Sequence, residues 1–199
     1  MKNIYLLLIL TSPFFVFSQV SGPEIFAEYS VFYNSDLKSS VNHKITAGSE
    51  LFSFKYLCPE IEIAYTFGAH ENSKIPFTSF AFGFSPKLIL QEEKSRWVFI
   101  PKYHLGKITA ENFDTNNNIT TYKDKINFWS FAIGLEIKSN HNVSNREKWG
   151  VYLIYNGFNA RPTMNKINFE QLKINNTQSI GLSFRISTNF KRVDKEYPE

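Results

Sequence analysis

His104 is the residue in this 199-residue chain best placed to move a proton, and Glu111 and Asp114 lie close enough in sequence to orient it. A histidine steadied by a carboxylate acts as general base in acyl hydrolysis when a serine stands beside it. No serine is marked out as that nucleophile, and the pattern G-x-S-x-G does not occur in the chain. A histidine satisfied within a polar network is the simpler reading, so no catalytic residue is assigned and no enzymatic activity is expected. His43, His70 and His141 fall in expected loops, too dispersed for a metal site, and neither a metal nor a cofactor is expected. Cys58 is the single cysteine, which excludes an intramolecular disulfide.

His104 belongs to a larger set defined by periodicity. In the last such segment Ile180, Leu182, Phe184 and Ile186 alternate with Gly181, Ser183, Arg185 and Ser187. A period of two puts the first four on one face of a strand and the second four on the other. One face is bulky and apolar; the other is small or charged. The same inversion recurs in segments 24–34, 44–57, 60–68, 77–90, 96–105, 126–138 and 148–156. It suits a wall between lipid outside and a polar interior. Hydrocarbon offers the backbone no hydrogen-bond partner, so such a sheet must close on itself. The expected fold is therefore all-β, an eight-stranded antiparallel up-and-down transmembrane β-barrel.

The alternation assigns Glu28, Lys55, Glu62, Lys87, Lys102, His104, Glu136 and Arg185 to the interior as a structural lumenal network. Buried charges must pair, and Arg185 on the last strand is expected to meet Glu28 on the first where the barrel closes. Prolines 86 and 101 are awkward within strands, and a bulge or bend is expected at Pro86. The expected connections alternate in length. Asp36–Asn42, Ala69–Pro76, Gly106–Lys125 and Gly157–Asn176 lie on one rim, with Cys58–Pro59, Gln91–Ser95 and Asn140–Arg146 on the other. Trp97 and Trp149 fall near the short-turn rim, and Tyr33, Tyr65 and Tyr103 near the opposite one, as an interfacial girdle requires.

Lys2, the apolar run Ile4–Leu10 and Val16-Phe17-Ser18 read as a signal peptide over residues 1–18. Residues 20–190 then form the barrel and 191–199 a short charged tail, with both ends in the periplasm. Mean hydropathy is slightly negative, which strands exposing only alternate residues to lipid allow. Net charge is +4, from 22 basic and 18 acidic residues. The lysines are dispersed, so no nucleic-acid partner is expected.

These strands and rims resemble the small eight-stranded outer-membrane barrels of the OmpA/OmpX type, over nearly all of residues 20–190. The segment Ser179–Phe190 also looks like the final strand read by the barrel-assembly machinery, although nine residues follow Phe190. The resemblance implies an outer-membrane location and contact with outer-membrane lipid. It implies handling by periplasmic chaperones during biogenesis, a monomer, and a role as anchor, adhesin or narrow pore. The alternative is a soluble periplasmic barrel like the lipocalins, with the aromatic face turned inward around a lipophilic ligand.

Overall fold

In the computed structural model Ile180, Leu182, Phe184 and Ile186 are about half exposed, while Ser183, Arg185 and Ser187 are buried. The alternation therefore points greasy side chains out and charge in. The structure describes residues 23–34, 40–52, 56–70, 75–92, 95–113, 119–138, 147–158 and 179–189. They form eight strands: β1 Glu24–Asn34, β2 Ser40–Glu50, β3 Leu57–His70, β4 Ile75–Glu92, β5 Ser95–Phe113, β6 Ile119–Lys138, β7 Glu147–Asn156 and β8 Ser179–Asn189. Each pairs antiparallel with its neighbours in sequence, and β8 pairs with β1 to close the barrel. Starting from Glu24 the paired residues run through Glu50, Glu60 and Ser85. Round the barrel the same row comes back to β1 near Asn34, a stagger that tilts the strands against the axis.

The outward face changes character along the longest strands. On β5 it reads Trp97, Phe99, Tyr103 and Leu105, then Lys107, Thr109 and Glu111. On β6 it reads Thr121, Lys123, Lys125 and Asn127, then Trp129, Phe131, Ile133 and Ile137. The inward face of the same stretch stays apolar: Ile108 and Ala110 are buried with Phe77, Ala81, Phe128 and Phe158. An apolar belt about one bilayer's strand length tall thus gives way to a water-facing hairpin.

That hairpin corrects the expected loop Gly106–Lys125, most of which is strand. The outward lysines and threonines look loop-like, but they alternate with buried apolar residues. The second strand is also displaced. It was expected over 44–57 but runs Ser40–Glu50, and the tight turn expected at Cys58–Pro59 is instead inside β3. Leu51 N–H donates to the Pro59 carbonyl and Ile89 N–H to the Tyr56 carbonyl, both at 2.9 Å, so β2 ends at Glu50 and β3 begins at Leu57. The alternation of Phe52 and Tyr56 continued past the end of the strand and disguised its turn.

Proline placement explains a break in the ladder. Pro59 faces Pro86 across β3 and β4. Between β4 and β5 the pairing stops after Phe84–Tyr103 and resumes at Leu88–Phe99, the interval in which Pro86 and Pro101 come together. Neither proline nitrogen can donate. Ser85 Oγ donates to the Pro101 carbonyl at 2.8 Å and satisfies it. The bulge expected at Pro86 lies a few residues on, where the register shifts between Ile89 and Gln91. The expected signal peptide, Lys55 and the 191–199 tail lie outside the described residues.

Candidate functional site: the lumenal charge network

Because strand faces alternate, the buried charged side chains line one enclosed column. Among the described residues these are six glutamates (24, 28, 50, 60, 62 and 136), four lysines (44, 87, 102 and 148), Arg96, Arg185 and His104. Of the expected set, Glu28, Glu62, Lys87, Lys102, His104, Glu136 and Arg185 all point inward. The strand ends and β2 bring in more. Glu24, Glu60 and Arg96 share the parity of Glu28, Glu62 and Lys102, so extending the period of two by one to three steps finds them. Lys44 and Glu50 follow once β2 is correctly placed, and Lys148 and Tyr152 share the inward parity of β7.

The pairs join into one chain. His104 Nε2 lies 2.7 Å from Glu62 Oε1, and Lys102 Nζ bridges Glu62 Oε2 at 2.9 Å and Glu28 Oε2 at 3.2 Å. Arg185 donates from Nη2 to Glu28 at 2.8 Å and from Nη1 to Glu60 at 2.6 Å. Glu28 and Arg185 are directly paired across the β1–β8 seam. Lys87 continues the chain to Glu60 at 3.4 Å, to Glu136 at 2.7 Å and to Glu50. Arg96 Nε and the Tyr152 hydroxyl then donate to Glu136 at 2.5 and 2.7 Å. A separate pair, Lys148 with Glu24, closes the end bearing the barrel's termini.

Packing fixes the geometry of this chain. The Arg185 guanidinium lies 3.9 Å from the Phe26 ring centroid and 5.3 Å from that of Tyr152, so apolar and cation–π contacts hold its planar fork between two carboxylates. Gly83 makes room for the far end: a Cβ there would stand 2.6 Å from Glu62 Cγ and 2.9 Å from His104 Cδ2. His104 stacks on Phe128 with centroids 4.5 Å apart. Its Nδ1 has no hydrogen-bond partner, so the ring joins the ion chain through Nε2 and Glu62.

His104 is thus enclosed by a carboxylate and an aromatic ring. Glu111 lies on the outward side seven residues along the strand, and Asp114 is outside the described residues. Lys44 differs from the other cations. It is fully buried, its Nζ has no hydrogen-bond partner, and it lies 5.5 Å from the Phe32 ring centroid. Among the described residues no group of three or more His, Cys, Asp or Glu side chains is arranged to hold a metal ion.

A closed eight-stranded wall, apolar outside and packed with paired charge inside, defines a small barrel of the outer-membrane type. No family model matches the sequence, and no curated protein does either. Among solved structures the chain is similar to Neisserial surface protein A, at 15% identity and TM-score 0.56, over 87% of this chain and all of that one. Two further neighbours align at lower scores. Ail, the attachment invasion locus protein of Yersinia pestis, has 11% identity and TM-score 0.45, over 85% of this chain and 98% of that one. The N-terminal β-barrel domain of Pseudomonas aeruginosa OprF has 10% identity and TM-score 0.39, over 86% and 100%. At 15% identity, the first of these bears on the fold.

Proposed function

We propose that the chain is a non-enzymatic integral outer-membrane protein, a closed barrel that anchors polar surface segments and does not conduct. The observation that carries this reading is the pairing of an outward apolar belt with a lumen crossed by a continuous chain of paired charges. Lipid is the natural solvent for the belt. A soluble barrel carrying a lipophilic ligand would need its apolar face inside, yet the aromatic and aliphatic side chains of β8 face out and Arg185, Ser183 and Ser187 face in. The polar hairpin beyond Leu105 and Asn127, with the segment after β7, is the part offered to surface partners. Export by the leading peptide, chaperoned passage and assembly through the last strand complete the reading, with the barrel as a monomer.

Fractionation and planar-bilayer recording test it. The protein should stay with outer membranes until detergent is added, and purified protein should give no steady channel. Recovery in the soluble periplasm, or a stable ohmic conductance, would overturn the respective half of the proposal.

A further inference from the structure

Lys107 and Lys125 are direct cross-strand partners on β5 and β6, and both are exposed on the outer wall. Like charges placed opposite one another weaken a sheet unless something of opposite sign lies between them. Lys123 adds a third cation two residues on, opposite Thr109. Among the described residues no carboxylate forms an ion pair with any of the three. The outward acid of this hairpin, Glu111, faces Thr121 further up.

The wall is indented just beside this pair. A groove of about 670 Å³ runs between Phe80, Phe82 and Leu105, with the backbone around Gly106 as its floor and the two lysines at its upper edge. Gly106 lets the strands approach closely there: a Cβ would lie 2.6 Å from the Ala81 Cα. The volume is within the ~300–1,000 Å³ of ordinary ligand pockets. Phe82 also borders a second groove, of about 460 Å³, whose sides are Ala47, Ile61 and Ile63. The two grooves meet at Phe82, which lines both.

We propose that the groove on β4–β6 binds a phosphorylated acyl-chain lipid, with the headgroup phosphate between Lys107 and Lys125 and a chain lying along Phe80, Leu105 and Phe82. The first groove places its two cations beside the apolar side chains of Phe80, Phe82 and Leu105, the combination that a phosphate head joined to an acyl tail requires. The site rests on the membrane reading above, since a lipid can reach it only from the bilayer.

Trp129 reports on it directly. Its ring contacts Tyr103, with centroids 4.8 Å apart, and Tyr103 and Trp129 are the next outward pair below Leu105 and Asn127. Full-length protein carrying Trp97→Phe and Trp149→Phe is reconstituted in phosphatidylcholine vesicles. These contain rising fractions of either brominated phosphatidylglycerol or brominated phosphatidylcholine. The anionic lipid should quench Trp129 with at least about fivefold preference, roughly one lysine's contribution near an anionic headgroup. Lys107→Gln with Lys125→Gln, or 1 M NaCl, should abolish the preference. Equal quenching by both lipids overturns the site while leaving the membrane reading intact. No quenching by either overturns the membrane reading itself. Should the phenylalanine variant fail to fold, native mass spectrometry of the unaltered protein and the double glutamine variant decides the same question. More phosphatidylglycerol than phosphatidylcholine must be retained by the first and not by the second, and any other result overturns the site.

Discussion

Arg185 is the side chain whose loss the lumen tolerates least. It holds Glu28 and Glu60 at once, and both carboxylates are buried. Arg185→Leu leaves Glu60 to Lys87 and Glu28 to Lys102, each shared with another acid. It should cost about 3–5 kcal/mol, read as a fall in unfolding free energy by urea titration in lipid vesicles; a loss under about 1 kcal/mol would mean the pairs are not desolvated. Lys44 argues the opposite way. Its ammonium is buried without a partner, so Lys44→Met should raise stability by about 1–3 kcal/mol in the same titration. A drop would show that distant Glu28 and Glu62 stabilise it across the lumen. Sequence exposes these residues unevenly. Arg185 stands out because it interrupts a run of small inward neighbours, Ser183 and Ser187, whereas Glu28 and Lys102 stand out as charges alternating with the outward rings of Tyr29 and Tyr103. Lys44 does not, because the turn after Glu50 preserves a spurious alternation through Phe52 and Tyr56, and the strand containing it is misplaced.

At the scale of elements, β8 and the hairpin of β5 and β6 show what alternation can and cannot convey. In β8 the bulky and small residues segregate by face, so strand, face and location are all readable from the chain. Phe184→Arg should therefore cost about 2–4 kcal/mol near the middle of the belt. Ser183→Arg should also destabilise, by about 1–3 kcal/mol, because Ser183 is fully buried and accepts a hydrogen bond from Ser30 Oγ at 3.0 Å. Unfolding midpoints of the two variants measured side by side check both; a tolerated Ser183→Arg would mean the lumen has unfilled space. The hairpin reads as loop because its outward residues are those of a loop. What marks it as strand is the inward run of Ile108, Ala110 and Ile126, a signal that depends on knowing there is an inside. The proline row carries its own test. Ser85→Ala removes the only donor to the Pro101 carbonyl among the described residues and should cost about 1 kcal/mol, seen as a lower urea midpoint.

The whole molecule is organised around closure. β1 pairs with β8 over ten positions, from Glu24–Asn189 to Tyr33–Ile180, and the strand order has no crossover. Closure was legible because only a sheet without edges fits an outward apolar belt, whereas the lengths of the individual strands depended on contacts that sequence does not print. Closure also shields the ion chain from the medium. Raising NaCl from 0.05 to 1 M should change the unfolding free energy by less than about 1 kcal/mol. A larger loss would place solvent inside the column.

Among the described residues, the strands of the β5–β6 hairpin outlast the apolar belt by several residues on one side of the cylinder. At ~3.3 Å per residue they raise a stiff mast on the order of 20 Å above the rim, across the barrel from the lower strands β1 and β2. A bulky visitor from outside would be fenced off from the bilayer along that flank, which gives a cylinder of similar strands a marked side.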